Sequence, residues 1–558
     1  MGSRKAGARR ARHGDGQGSG RARTPVPDLI ASAARPGLGG HFDPLSLALD
    51  ALVLGLAAFY LFMLWRQSAP ASFSSDECFH AYVSEWIAQR GRLPRELPEF
   101  YSGLPYFYPP LFHILGAAAV KVAGLASLKY LNVVFTGILM AVVCTLPVPG
   151  LTRAARRCAV LLCIASKALS FYAVVFYAET LATLMAVLVV LLLLRARARP
   201  GTGEGVLLGV ALGAALVSKQ SAPVLAVLVG VLAAIDFARR RRPAATTMLI
   251  ALVTGLIVAL PYYVRNAVLF GGPFYPPITN DAQAALDAMN TRIFSAPAPI
   301  FYRNALVVMG PVVPWLTGAA LVWNVARGRF NLVTGLLAGC VAFTLLAPFV
   351  PRFEPRHLNP VTAILALLGS LVVADALARR RWVSFGAQLL LVGWGVVFVA
   401  RMPAPRSWLN PSPLAREMYR AVAESVPAGG TVLSRSTYDT FYYARRNATW
   451  PIPWGRTEGQ IELFTVRDPE RFIAALDRLA VDYLLLPRGP TAQSFDGANF
   501  PVSYVACVAT LVQRGRLEVV WGSQEMVLVG KSAAAASAPA GPADAPHGVA
   551  TRTTLGDR

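Results

Sequence analysis

The sequence predicts a polytopic α-helical membrane protein of about eleven transmembrane helices with a small C-terminal extracytoplasmic α/β domain, and three observations carry that prediction. Apolar runs of about 20 residues, enough to span a bilayer, recur along most of the chain. Only 15% of the 558 residues are charged, against about 25% in a typical soluble domain, and the mean hydropathy is +0.48. Arginines cluster in the short gaps between the runs, at Arg153/Arg156/Arg157, Arg195/Arg197/Arg199, Arg239 to Arg242, Arg327/Arg329 and Arg379 to Arg381. Basic excess in short loops marks the cytoplasmic side, so topology explains the net charge of +23 better than nucleic acid does.

Residues 1–44 are polar and basic, lack an apolar stretch with a cleavage site, and read as a disordered cytoplasmic tail. Residues 45–400 form the transmembrane module. With every arginine cluster held inside, the spans fall near 45–65, 130–149, 158–177, 180–195, 204–218, 220–237, 244–263, 304–325, 330–350, 358–378 and 382–400. Residues 109–125 are apolar, but they open with Pro109-Pro110, carry Lys121, and as a span would put Arg153–Arg157 outside. They read as a juxtamembrane or re-entrant helix on the outer leaflet. The Gly-rich span 204–218 is short and reads as tilted or broken near Lys219.

Three pieces stand outside the bilayer in this threading: loop 66–108, ending in the aromatic run Tyr101–Tyr108; loop 264–303, rich in Pro, Gly and aromatics; and the domain 401–531. The domain reads as strand 431–435, helix 468–480, strand 482–487 and strands near 502–511, 517–521 and 525–530. The Ala/Pro tail 532–558 reads as disordered. Of the six cysteines only Cys78 and Cys507 face outside, and spacing does not say whether they pair.

Charge at bilayer depth is costly, so each such residue needs an explanation. Asp50, Asp236 and Asp375 lie at inner helix ends beside arginines and read as local ion pairs. Glu179, in Phe176-Tyr177-Ala178-Glu179-Thr180, has no basic neighbour in sequence and needs a partner from elsewhere. Asp76 and Glu77 sit side by side about ten residues beyond the first span, after Ser74 and Ser75, which can cap a helix starting there. His80 lies one turn after Asp76 and shares its face; two such ligands do not make a tetrahedral metal site.

Asp76-Glu77 after the first span, followed by Tyr108-Pro109-Pro110-Leu111, resembles the lipid-phosphate-sugar glycosyltransferases of the GT-C fold, in particular the protein O-mannosyltransferases and the aminoarabinose transferases (family 39-like). Tyr177-Ala178-Glu179 resembles their second acidic motif, although many relatives carry Asp where this chain has Glu179. The stretch Gly209 to Ser221 resembles a lysine-bearing helix pair. Pro261 to Asn266 with Gly272 to Pro276, and Arg356-His357-Leu358-Asn359-Pro360, resemble later family loops, and the resemblance covers residues 45–365.

The resemblance implies transfer of a sugar from a polyprenyl-phosphate donor to an extracytoplasmic acceptor, and the Ala/Arg-rich composition without a retention signal points to an inner or plasma membrane. Asp76 is then the general base, with inversion at the anomeric carbon, and Glu77 its orienting or basicity-raising neighbour. Lys219, Arg265, Arg356 and His357 are the candidate phosphate contacts, with Glu179, His80 and Tyr108 also in the substrate site. Tyr106, Phe107 and Tyr108 suit either stacking on a sugar or an interfacial aromatic belt. The resemblance implies no certain cofactor and leaves a divalent metal open, since GT-C enzymes differ in needing one. A flippase of lipid-linked glycans and a non-catalytic membrane scaffold are the competing classes; the position of the acidic pair in a loop and the lack of an inverted repeat disfavour the flippase.

Overall fold

The computed structural model describes residues 43–68, 73, 76–97, 104–273, 297–349, 354–402, 411–434, 436–449, 462–463, 466–487 and 502–532. The expected tails, the Ser74 and Ser75 caps, the start of the aromatic run and the Phe274–Pro276 motif lie outside them.

Among the described residues, seven helices are long and apolar enough to cross a membrane: Pro44–Ser68, Leu125–Thr145, Glu179–Ala198, Arg242–Phe270, Leu332–Phe349, Pro355–Leu377 and Arg381–Ala400. Two bent pairs, Arg153–Ile164 with Lys167–Val174 and Ala298–Met309 with Val312–Ala326, raise the count to nine if each is one span. The first pair bends by 65° where Ser166 interrupts the ladder and accepts the Leu169 N–H, starting a new helix. The remaining two of the eleven expected spans are the helices Thr202–Leu216 and Pro223–Ala238, too short to qualify alone. Residues 109–125 contain the helix Leu111–Ala123. At 1.5 Å per residue it is about 20 Å long, short of the roughly 30 Å hydrocarbon core, as the Pro109-Pro110 start had suggested.

The Gly-rich stretch has a packing reason. Gly205, Gly209 and Gly213, four residues apart, form one stripe against the Arg242–Phe270 helix. A Cβ on Gly209 would lie 2.7 Å from the Ala251 carbonyl, so only glycine permits the approach. The short helix stops at Leu216, and Lys219 lies just beyond it. The long partner helix runs through Pro261 and ends at Gly271, whose left-handed φ of +75° closes it.

The bundle segregates its charges. The Arg156 guanidinium caps the end of the Leu128–Thr145 helix by donating to the Val143, Cys144 and Leu146 carbonyls. At the same ends of their helices, Asp50 pairs with Arg157 at 2.8 Å, Asp236 with Arg197 at 2.9 Å and Asp375 with Arg329 at 2.6 Å. The expected ion pairs therefore form, but each partner comes from elsewhere in the fold, Arg157 and Arg197 from other helices and Arg329 from the turn after Ala326, and not from the neighbouring sequence. Asp76, Glu179, Lys219, Arg265 and Arg356 lie at the opposite helix ends.

After the last span, a five-stranded mixed sheet runs in the spatial order Asn447–Thr449, Thr431–Ser434, Tyr483–Pro487, Met526–Lys531, Leu517–Gly522. The first three strands are parallel, and the last two pair antiparallel. One expectation fails: residues 502–511 are not a strand but part of the helix Val502–Gln513. The run VSYVACVATLVQ is rich in β-branched residues, yet Cys507, Val508 and Leu511 fall on one helical face and are buried in the small core. Helices Pro413–Ser425 and Thr437–Ala444 add elements the sequence reading left as loop.

Candidate active site

The site is built on the Asp76–Arg90 helix, whose first residues are the acidic pair. Consecutive helical residues point about 100° apart, so the two carboxylates meet different surroundings. The Glu77 side chain is 1% exposed, lies 2.8 Å from Lys129 Nζ, and accepts the Phe176 N–H at 2.6 Å. The Asp76 side chain is 32% exposed and pairs at 2.9 Å with Arg356.

Glu77 and Lys129 have a local purpose. Between the helices ending at Val174 and starting at Glu179, the backbone of 175–178 leaves its helical ladder and exposes polar groups inside the bundle. Glu77 takes the Phe176 N–H. Asn132 directs its amide at the Tyr172, Val175 and Tyr177 carbonyls, at 3.2, 2.5 and 2.8 Å. The fixed turn sets Tyr177 against Arg356, whose guanidinium carbon lies 5.7 Å from the ring centroid, and puts Glu179 at a helix N-terminus.

Glu179 finds the partner its sequence lacked. Lys219 Nζ is 2.9 Å away and Arg356 Nε 3.8 Å. Arg356 also meets Glu354 at 2.8 Å, so one guanidinium faces three carboxylates. Burial raises the Glu354 carboxyl above its ordinary range, with Arg356 opposing that shift. His357 lies beside the group: its ring caps the Glu354 N–H at the start of the short turn Pro355–Leu358.

His80 is 9% exposed. Burial lowers its pKa to about 4, against the pull of Asp76 and Glu179, so the ring is neutral at physiological pH. Its Nδ1 is 2.8 Å from His113 Nε2, and His113 Nδ1 is 2.8 Å from the Tyr106 hydroxyl.

Two expected contacts belong elsewhere. Arg265 donates to the Tyr106 carbonyl at 3.0 Å and the Pro94 carbonyl at 2.5 Å, with Asn266 Oδ1 at 3.1 Å. It clamps the loop beneath the site instead of extending into it. Tyr106 and Phe107 are sealed in the core, which leaves neither for a sugar face nor a lipid interface; Tyr108 is half-buried and stacked on Phe107 at 4.8 Å. Cys78 and Cys507 are both unpaired. The Cys78 thiol donates to Asp439 at 3.4 Å, and burial first, then Asp439, pushes its pKa up.

Sequence reasoning missed Lys129, Asn132, His113 and Glu354. A lysine and an asparagine three apart at the head of an apolar span were the available signal for the first two. It also missed the support from the C-terminal sheet. The Thr437–Ala444 helix packs on the site helix through Phe79–Tyr438 and Tyr82–Phe441, with ring centroids at 5.1 and 4.7 Å, and Tyr443 donates to the Phe73 carbonyl.

Among the described residues, no group of three or more His, Cys, Asp and Glu is arranged to hold a metal ion. The acidic residues a cation would need already face Lys129, Lys219 and Arg356. The described residues do not fit a resident metal.

This is the GT-C-like fold of polytopic membrane glycosyltransferases, with a small mixed sheet at the C-terminal end. Two solved proteins carry that assignment. ArnT from Cupriavidus metallidurans bound to undecaprenyl phosphate aligns with a TM-score of 0.55 at 14% identity, over 87% of this chain and 99% of that one; its apo form gives 0.56. The archaeal oligosaccharyltransferase AglB from Archaeoglobus fulgidus, in complex with an inhibitory peptide and a dolichol-phosphate, gives 0.55 at 12% identity, over 78% of this chain and 69% of that one. No known protein-family model matches. The curated adenosylcobinamide-GDP ribazoletransferase of Deinococcus radiodurans is 34% identical over 89 residues, which span 15% of this chain and 32% of that protein.

Proposed function

We propose that this protein transfers a sugar from a polyprenyl-phosphate donor to an extracytoplasmic acceptor in protein, lipid or cell-envelope glycan, with Asp76 as general base. One observation carries the reading. Of the two carboxylates that open the site helix, Asp76 is the accessible one, and it rests on the same guanidinium as Glu179 at the end of the bundle opposite the arginine clusters. The GT-C-like fold supports it, and so do the ligands in the neighbours, undecaprenyl phosphate in ArnT and a dolichol-phosphate with a peptide in AglB.

The chemistry follows from the charges. A donor phosphate entering the cluster competes for Arg356 and Lys219, and Arg356 turning to the phosphate frees the Asp76 carboxylate. Asp76 then takes the proton of the acceptor as its heteroatom bonds to the anomeric carbon. The bond from that carbon to the phosphate oxygen breaks, its electron pair leaving with the polyprenyl phosphate. Arg356 and Lys219 stabilise the charge that develops there. A single displacement inverts the anomeric centre. Glu77 acts through Lys129 and the 175–178 turn, as a positioning residue.

The test is Asp76→Asn in purified protein with polyprenyl-phosphate sugars, scoring release of the lipid phosphate. Loss of about 10²–10⁴-fold in kcat is expected for a general base; full turnover would sink the assignment. The face is tested separately. A cysteine placed at Arg240 resists an impermeant thiol reagent in intact cells if the arginine end is cytoplasmic, and ready labelling reverses the topology.

A further inference from the structure

Tyr106, His113 and His80 form a buried row in which hydrogen-bond counting decides where each proton sits. The Tyr106 hydroxyl is fully buried and has His113 Nδ1, at 2.8 Å, as its hydrogen-bond partner among the described residues. A buried hydroxyl hydrogen without an acceptor is costly, so Tyr106 donates to Nδ1. His113 then carries its hydrogen on Nε2 and donates it to His80 Nδ1, also at 2.8 Å. With Nδ1 occupied as acceptor, neutral His80 carries its hydrogen on Nε2. That atom has no hydrogen-bond partner among the described residues, and it is not among the sealed unpaired atoms of the interior. The charged groups around the ring are Asp76 and Glu179, Arg356 and Lys219, with His113 as the titratable neighbour behind it.

From this geometry we infer that Tyr106 and His113 are positioning residues that lock His80 in the Nε2–H tautomer, so that His80 donates a neutral hydrogen bond to a phosphate oxygen of the bound donor. The identity of that ligand rests on the proposed function; the tautomer lock does not. The arrangement has a chemical purpose. Arg356 and Lys219 are shared with carboxylates and must reorient when phosphate binds, whereas a neutral N–H fixed from behind by hydrogen bonds gives up no partner to do so. Free imidazole in water exchanges between its two neutral forms, and this row removes one of them.

Full-length protein in detergent, with ¹⁵N-labelled histidine, tests the lock without any substrate. The chain has six histidines, so His80→Gln and His113→Gln spectra assign the two rings. Nitrogen–proton correlations are expected to place the His80 hydrogen on Nε2 in wild type and to show a mixture of tautomers in Tyr106→Phe. A His80 hydrogen on Nδ1, or a pattern unmoved by Tyr106→Phe, overturns the inference whatever reaction the protein performs. His113→Gln keeps a side-chain N–H toward His80 and retains the tautomer, whereas His113→Leu loses it; equal spectra for these two variants also overturn it. Adding polyprenyl phosphate is expected to shift the His80 Nε2 resonance in wild type and less in Tyr106→Phe. If the lock holds but no shift appears, the phosphate contact is wrong and the tautomer stands. In turnover, Tyr106→Phe is expected to lower kcat about tenfold with the acceptor KM unchanged, the scale of one transition-state hydrogen bond.

Discussion

The two ends of the helix bundle handle buried charge in opposite ways. At the arginine-rich end each carboxylate has an arginine of its own: Asp50 has Arg157 and, at 4.0 Å, Arg153; Asp236 has Arg197, Glu204 has Arg195 and Asp375 has Arg329. At the other end Asp76, Glu179 and Glu354 share Arg356, and Glu179 divides itself between that guanidinium and Lys219. A carboxylate with an arginine of its own has its charge matched, and that arginine is not shared among carboxylates that a ligand could displace. A cluster held by one shared cation can be reorganised when an anion arrives, because the cation changes partners without leaving any group in vacuum. The two ends thereby differ in how their cations are shared, individually at one and among several carboxylates at the other.

The sharpest break of this contrast exchanges one arginine at each end. Arg356→Lys keeps the positive charge but loses the planar fork that reaches three carboxylates, and it is expected to lower transfer by about 10²–10³-fold, as removal of a preorganised donor does. Arg329→Lys, on the partly exposed Asp375 pair, is expected to leave kcat within twofold of wild type, since such pairs contribute about 0–1 kcal/mol. Lipid-phosphate release by the two variants at equal folded concentration decides it. Equal losses would erase the distinction between the ends.

A second break separates the two members of the acidic pair. Glu77→Gln leaves the Lys129 ammonium buried, and loss of one partner of such a pair costs about 3–5 kcal/mol. Thermal unfolding in detergent is expected to show a lower midpoint, with turnover per folded molecule reduced far less than in Asp76→Asn. Replacing both partners, Glu77→Leu with Lys129→Met, is expected to recover much of the stability, though not all, because the Phe176 N–H still lacks its acceptor. A stable Glu77→Gln that is as inactive as Asp76→Asn would move Glu77 into the chemistry.

These two regions were unequally legible in the sequence. The helices and the arginine end followed from hydropathy and local charge, which are properties of short windows. The site was half legible: Asp76, Glu179, Lys219 and Arg356 stood out as charges that apolar surroundings must account for, and the structure brings them together. Their neighbours did not stand out. Glu77 and Asp76 are adjacent in sequence, and only the helix geometry sends one into the core and the other into the site. Lys129 is missed altogether, because nothing local reveals that its partner lies 52 residues earlier. Arg265 falls within a family-like motif, yet its guanidinium is taken by the Pro94 and Tyr106 carbonyls, far earlier in the chain. The helix at Val502–Gln513 was lost for another reason: β-branched content outweighed a buried face that only the sheet beside it makes visible.

The smallest expected effect tests whether the site end tolerates protonation. His80 titrates near 6.5 in an unfolded chain and at about 4 in the folded protein, where burial disfavours its charged form. Between those values the unfolded state holds more protons, so stability rises with pH across the interval. Its contribution is therefore complete above about pH 6.5, falls as the pH drops toward about 4, and changes no further below that. Unfolding midpoints of wild type and His80→Gln measured from pH 7.5 to pH 4 isolate this part, because the other acid-sensitive pairs are common to both proteins. Wild type should lose more than the variant over that range. Parallel curves would mean that His80 takes up its proton within the fold, and with it that the site end, unlike its arginine-rich counterpart, accepts a new charge without penalty.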